Sequence, residues 1–122
     1  MEATGTAAHL YVESGGAKRG CVPRAGRCEV LVSAKILPNP FKAIRQGEIG
    51  DTLENITSWI IDSNSRKWQA ILTLCRFHLN RGSSLRVECA GGQHRSYAIV
   101  EALALEYRSR GQAIVVVHQD KK

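Results

Sequence analysis

The sequence predicts a small α/β domain with a mainly parallel sheet of about four strands flanked by three helices. Residues 85–117 have the pattern of a strand, a glycine turn, a helix and a second strand, which is typical of a unit whose two strands run parallel. Two amphipathic stretches between residues 52 and 81 precede this unit. The 122 residues, 43% of them apolar, suit one domain over residues 1–122. We expect residues 1–8, which are small and polar, to be disordered.

Four short stretches have the composition of strands. Residues 10–13 and 29–33 are the first two, and the second is apolar enough to be buried. In residues 85–89 apolar and polar side chains alternate, as in a half-buried central strand. Residues 113–117 are an unbroken apolar run, β-branched from Ile114 onward, which predicts a fully buried strand.

Capping residues mark the helices. Asp51 and Ser65 stand where they can cap two helices, and Gly111 can close a third. The prolines of residues 37–40 predict a rigid extended turn, and we expect residues 41–50 to be irregular. The three predicted helices cover residues 52–62, 66–81 and 96–110.

The stretch between the third strand and the third helix predicts an anion site. Gly91 and Gly92 let the backbone approach a ligand closely, and a helix that opens after them has unpaired N–H groups. His94, Arg95 and Ser96 add donors at the same point, and phosphate is the expected anion. The alternative is a tight turn with a solvated arginine. The candidate residues are Ala90, Gly91, Gly92, Gln93, His94, Arg95 and Ser96.

Other basic side chains can join this site. Lys35 lies just before the rigid turn, and Lys18 and Arg19 lie in a glycine-rich loop, residues 14–27. His118 follows the last strand. Because the carboxyl ends of parallel strands meet at one edge of a sheet, we expect these side chains to face the same ligand.

Charge and composition narrow the partners. The chain carries a net charge of +6, and its second half, with ten basic and five acidic residues, carries +5 of this. A basic half favours phosphorylated metabolites or nucleic acid. The four cysteines form no Cys-x-x-Cys pair, so we expect no metal site and no cofactor. With no recognisable signal peptide or membrane-length apolar run, we expect a reduced cytoplasmic protein.

Four segments resemble one family. Residues 89–96 resemble the Cys-Thr-Gly-Gly-x-His-Arg-Ser signature of the C-terminal domain of RapZ, the RNase adapter protein, and residues 37–40 resemble its Leu-Pro-Asn-Pro. Residues 14–20 loosely resemble its Ser-Phe-Gly-Phe-Lys-x-Gly, and residues 118–120 its terminal His-Arg-Asp. The matches come in family order over nearly the whole chain.

The resemblance implies a binding and regulatory role. Family members bind a phosphosugar, glucosamine-6-phosphate, as a metabolic sensor, and they form oligomers. Ala90 stands where the signature has Thr, which removes one hydroxyl donor, and Lys35 stands where the family has Arg. We expect a stand-alone domain without the P-loop kinase-like half of full-length members. The matching ligand residues are Arg19, Lys35, Ala90, Gly91, His94 and Arg95.

Two other functions stay open. The resemblance implies an RNA-binding adapter for small-RNA processing, with a separate P-loop protein or a ribonuclease as partner. Cys89 and Arg95 also fit the Cys-x5-Arg loop of cysteine-dependent phosphatases, in which a thiolate attacks phosphorus. Those enzymes usually have His where this chain has Glu88, and the sequence places neither Asp51 nor Asp120 as the general acid. We therefore expect no catalytic residue.

Overall fold

A computed structural model describes residues 9–17 and 28–120 as one α/β domain. These ranges contain four strands and four helices. The strands are β1 (Leu10–Gly16), β2 (Val30–Ser33), β3 (Leu85–Cys89) and β4 (Ile114–His118). The helices are α1 (Phe41–Arg45), α2 (Leu53–Ser63), α3 (Ser65–Asn80) and α4 (Arg95–Ser109). Along the chain, these elements follow in the order β1, β2, α1, α2, α3, β3, α4 and β4. The predictions for residues 1–8, Lys18 and Arg19 lie outside the described residues.

All four strands are parallel, in the order β2-β3-β1-β4. Gly16 of β1 is in register with Cys89 of β3, and Ser14 is in register with His118 of β4. The carboxyl ends of β1, β3 and β4 therefore meet at one edge, and the glycine turn follows β3 there. This confirms the predicted fold class.

The core lies between the helices and one face of the sheet. Alternate strand residues such as Val12, Val32 and Val87 enter this core, while Glu13 and Arg86 alternate with them. Helix α3, between β2 and β3, and helix α4, between β3 and β4, contact each other as well as the sheet, so they lie on the same face. The helices contribute the apolar stripes predicted for them, Trp68, Ile71, Leu72, Cys75 and Leu79 from α3 and Ile99, Leu103 and Tyr107 from α4.

Two strands predicted to be buried lie at the edges of the sheet. In β2 only Val32 is buried, and Leu31 is 60% exposed. In β4 only Ile114 is buried. The prediction of burial was wrong because an apolar run favours a strand without fixing its place in the sheet, and an edge strand has a neighbour on one side only.

Several local boundaries differ from those predicted. Residues 41–45 form a fourth helix, α1, where we expected irregular chain; the side-chain oxygen of Asn39 accepts the N–H of Phe41 at its start. Thr52 caps α2 and Asn64 caps α3, each one residue from the expected cap. The first strand runs on to Gly16, because its two glycines continue the pairing with β3.

Candidate functional site

The glycine loop lies directly on the end of β1. Gly92 is buried and has a φ of 73°, a left-handed conformation that favours glycine. A Cβ built on Gly92 would lie 2.6 Å from the nitrogen of Gly16 and 2.7 Å from the carbonyl carbon of Gly15. The N–H of Ala17 also donates to the carbonyl of Cys89 over 2.8 Å. Backbone contact thus fixes the loop at the carboxyl edge of the sheet.

A cavity of about 210 Å³ opens beside this loop. His94 is the N-cap of α4, and its side chain makes no capping hydrogen bond. The first N–H groups of a helix have no partner within the helix, so the start of α4 supplies donors and partial positive charge. The residues that line the cavity are Asn39, Phe41, Cys89, Ala90, Gly91, Gln93, His94 and Arg95.

Arg95 joins the start of α4 to the chain after β2. Its side chain is largely buried, and the residue is 7% exposed. Its Nη1 donates to the carbonyls of Lys35 and Leu37 over 3.0 and 3.3 Å. The contact to Lys35 is therefore with its backbone, while the Lys35 residue itself is exposed. Arg95 positions the Pro-Asn-Pro turn against the cavity as well as lining it.

His94 faces an acidic side chain from the loop before α2. Its Nε2 lies 3.9 Å from a carboxylate oxygen of Asp51, whose side chain is exposed. The cavity is therefore lined by Arg95 and the glycine loop, and the carboxylate of Asp51 lies beside His94. This combination can hold a ligand that has an anionic group and a hydroxyl or amino group.

Cys89 is a buried thiol beside the same loop. Its Sγ and the carbonyl oxygen of Gly15 each lie 3.3 Å from the Oγ of Ser96, whose single proton can be donated to one of them at a time. Burial raises the pKa of Cys89, but hydrogen bonds from the Ser96 hydroxyl and from the N–H groups of Ser96 and Gly92, with the charge of Arg95, lower it below its ordinary value overall. Burial raises the pKa of Cys75, in the core, to about 12. Of these two buried thiols, Cys89 is therefore the one whose surroundings favour the thiolate.

Comparison with known proteins identifies the family. A family model of the RapZ C-terminal domain matches residues 8–122. The chain belongs to the RapZ C-terminal domain family.

Several relatives of this RapZ C-terminal domain are named nucleotide-binding proteins. One from Symbiobacterium thermophilum is 30% identical over 92% of this chain and 39% of its own length. Another, from Corynebacterium aurimucosum, is 26% identical over 92% of this chain and 41% of its own. A third, from Streptomyces coelicolor, is 29% identical over 75% of this chain and 34% of its own. The chain thus spans about two fifths of the length of the relatives it matches.

His118 of the RapZ domain lies apart from the cavity lining. Its Nδ1 is 2.7 Å from the Oγ of Ser14, and its Nε2 is 2.5 Å from a carboxylate oxygen of Glu101 on α4. The ring of Tyr97 packs edge-on against it, with centroids 4.6 Å apart. His118 therefore joins β4 to β1 and α4, and its role toward a ligand stays a prediction.

The two residues after β4 bind the glycine loop to the sheet. A side-chain oxygen of Asp120 accepts the N–H of Gly16 over 2.8 Å, and its carbonyl accepts the side-chain amide of Gln93 over 2.5 Å. The N–H of Gln119 donates to the carbonyl of Ser14. The terminal His-Gln-Asp segment thus positions Gln93 at the cavity.

An ion-pair cluster supports the same edge from the other face of the sheet. Arg86 binds Glu13 over 2.5 Å, Glu88 over 2.8 Å and the side-chain oxygen of Gln119. Burial lowers the pKa of Arg86, but its hydrogen bonds to Glu88 and Glu13 raise it above the ordinary value overall. A Cβ on Gly15 would lie 2.2 Å from the Arg86 guanidinium, so this glycine makes room for it.

Sequence reasoning missed part of the site. Asn39 and Phe41 line the cavity, and Arg86 forms an ion-pair cluster with Glu13 and Glu88 on the other face of the sheet. The Pro-Asn-Pro turn, which contains Asn39 and directly precedes Phe41, was the sequence feature that could have indicated these two residues. The charges at Glu13 and Arg86 are 73 positions apart, and only the strand register brings them together.

In the part of the chain that the structure describes, no helix is both long and apolar enough to cross a membrane. Within the same ranges, no group of three or more His, Cys, Asp or Glu side chains is placed to hold a metal ion.

Proposed function

We propose that this domain binds a phosphorylated small molecule, a phosphosugar such as glucosamine-6-phosphate, in the cavity beside the glycine loop, and that binding has a regulatory role. The observation that carries the proposal is the cavity itself. The glycine loop and the first turn of α4 line it, and the first N–H groups of a helix, which have no partner within the helix, favour an anion.

The size and lining of the cavity favour a small ligand. Its volume of about 210 Å³ is below the roughly 300–1,000 Å³ typical of drug-sized sites. Arg95 would hold the phosphate by a charge-assisted hydrogen bond, and His94, Gln93 and Asn39 would contact the body of the ligand. Lys18, Arg19 and Lys35 remain proposed contacts, and so does His118.

Replacing Arg95 with alanine is expected to weaken binding of glucosamine-6-phosphate by about 1.5–3 kcal/mol, the contribution of a hydrogen bond to a charged group. The measurement is isothermal titration, after a thermal-shift screen over sugar phosphates and inorganic phosphate. Arg95→Ala also leaves the carbonyls of Lys35 and Leu37 without this donor, so the stability of the variant is measured without ligand. His94→Ala, which leaves those carbonyls bonded, is the second site variant.

Arg76→Ala is the control, because Arg76 binds Glu106 on α4 and is not among the residues that line the cavity. It should bind the ligand as the parent does. A parent that binds none of these phosphates, or an Arg95→Ala variant and a His94→Ala variant that both bind as tightly as the parent, would contradict the proposal.

A cysteine-dependent phosphatase is the second candidate. The lowered pKa of Cys89 and its contact with Ser96 favour it. In that chemistry the thiolate forms a bond to phosphorus as the bond to the leaving oxygen breaks; an acid protonates the leaving group, and water then hydrolyses the thiophosphate. Cys89, however, is only 2% exposed, and the nearby Asp51 is exposed.

We expect this chain not to hydrolyse an aryl phosphate, because Cys89 is only 2% exposed and the carboxylate of Asp120 already accepts the N–H of Gly16. The test compares the parent with Cys89→Ser at mildly acidic and neutral pH. If the parent releases the phenol and Cys89→Ser does not, the phosphatase would replace the binding domain as the proposed function. Cys75→Ser is the matched control, since Cys75 is a core thiol.

The regulatory role implies a macromolecular partner. RNA is the alternative binding partner, and the positive charge of the second half of the chain supports it. A separate P-loop protein or a ribonuclease, and a second copy of this chain, are the other proposed partners. Lys121 and Lys122, which an RNA would meet at the terminus, lie outside the described residues.

A further inference from the structure

A second concave surface adjoins the candidate phosphate cavity. It has a volume of about 380 Å³ and is lined by Phe41, Lys42, Arg45 and Gln46 of α1 and the residue after it. Phe41 also lines the first cavity. The two cavities therefore meet at one aromatic ring, which is 51% exposed.

The second cavity is positively charged. Lys42 and Arg45 are exposed, and neither forms an ion pair with another described residue. The guanidinium carbon of Arg45 lies 5.6 Å from the centre of the Phe41 ring, a cation–π distance. Arg45 is therefore held over the ring that separates the two cavities, and Lys42 lies beside it in sequence and in the cavity lining.

The base of this surface is fixed. Pro40 and Ala43 are buried, and the N–H of Ile44 donates to the carbonyl of Pro40 over 2.9 Å. At its other end, Arg95 holds the chain before the turn through the carbonyls of Lys35 and Leu37. The ring and the two cations are thus presented on a structured turn and helix.

We infer that the site takes a ligand with two anionic groups, one in the glycine-loop cavity and one at Lys42 and Arg45. This inference rests on the proposed function and defines its ligand class more narrowly. A sugar that carries a phosphate at each end is such a ligand: its ring would lie against Phe41, since an aromatic face offers apolar contact. Each end would then meet a positively charged group, Arg95 at one and Arg45 at the other.

The test compares two ligands that differ by one phosphate, glucose 6-phosphate and glucose 1,6-bisphosphate, by isothermal titration at low ionic strength. The parent should bind the bisphosphate about fivefold more tightly, the scale of one partly exposed ionic contact. The double variant Lys42→Ala/Arg45→Ala should bind the two ligands about equally and keep its affinity for the monophosphate. Raising the ionic strength should reduce the preference of the parent, because exposed charges are screened.

A charge-matched control separates a local contact from net charge. Arg66 and Lys67 are an exposed basic pair on the first turn of α3, and neither lines either cavity. Arg66→Ala/Lys67→Ala should therefore keep the fivefold preference. If the parent binds both sugars equally, or if the control loses the preference as the α1 variant does, the second subsite is refuted while the phosphate cavity stands. If the parent binds neither sugar, the second subsite is refuted, and the titration with glucosamine-6-phosphate decides separately whether the phosphate cavity stands.

Discussion

Replacing Gly92 with alanine is expected to destabilise the domain by about 2–5 kcal/mol, the sum of left-handed backbone strain and overpacking. The new Cβ would lie 2.6 Å from the backbone nitrogen of Gly16 and 3.0 Å from the Cβ of Asp120. Neither backbone can move without breaking the pairing of β1 with β3 or the hydrogen bond from Gly16 to Asp120. Denaturant unfolding measures the loss, and phosphate binding should fall with it because the loop itself shifts.

Gly111→Ala is the matched control. Gly111 has a similar φ of 80°, but nothing lies within 4 Å of the Cβ that would be added. It should therefore show the backbone strain alone, about 1–2 kcal/mol. If both variants lose the same free energy of unfolding, the loss at Gly92 comes from its left-handed backbone alone. Close contact of Gly92 with β1 would then not contribute to it.

Replacing Arg86 with methionine is expected to cost about 3–5 kcal/mol, the usual result of removing one partner of a buried ion pair. The side chains of Arg86 and Glu13 are 2% and 0% exposed, so the variant leaves a carboxylate buried without its partner. The measurement is urea unfolding at neutral pH. Adding Glu13→Gln to the variant should recover much of the loss, because it removes the uncompensated charge.

The pair of Arg76 with Glu106 is the comparison for Arg86. Its side chains are 33% and 28% exposed, so Arg76→Met should cost about 1 kcal/mol or less. The prediction is contradicted if Arg86→Met loses no more stability than Arg76→Met, or if Glu13→Gln restores none of it. The ion pairs of Arg86 would then not stabilise the fold through their charge.

The sequence could predict the elements and the glycine loop because their signals are local. Helical spacing fixed the stripes of α3 and α4, and Gly91 and Gly92 marked the turn at the carboxyl edge. Local signals do not determine where a strand lies in the sheet. The apolar sequences of β2 and β4 predicted burial, but both strands lie at the edges. The helix at Phe41 escaped notice because it has only five residues, too few for a periodic pattern.

Five of the eight residues that line the cavity were among the predicted site residues, but their contacts were not predictable. Arg95 and Lys35 were both expected to face the ligand, whereas the structure joins them through the Lys35 carbonyl. His118 reaches the expected edge of the sheet, but its ring is placed by Ser14 and Glu101. Strand register decides which side chains of two separate strands lie side by side. A local sequence pattern does not give that register.

The strand order also constrains how this chain can fold. β1 comes first in the sequence, yet both of its neighbours come late: its pairing with β3 begins at Leu85 and its pairing with β4 at Ile114. Each pair among the four described strands is parallel, so none of these pairs can form early as a hairpin. Because closing such long loops is slow, formation of the sheet should limit the folding rate. During synthesis, β1 must remain without its strand partners until β3 emerges, and the site at their shared edge is among the last parts to form.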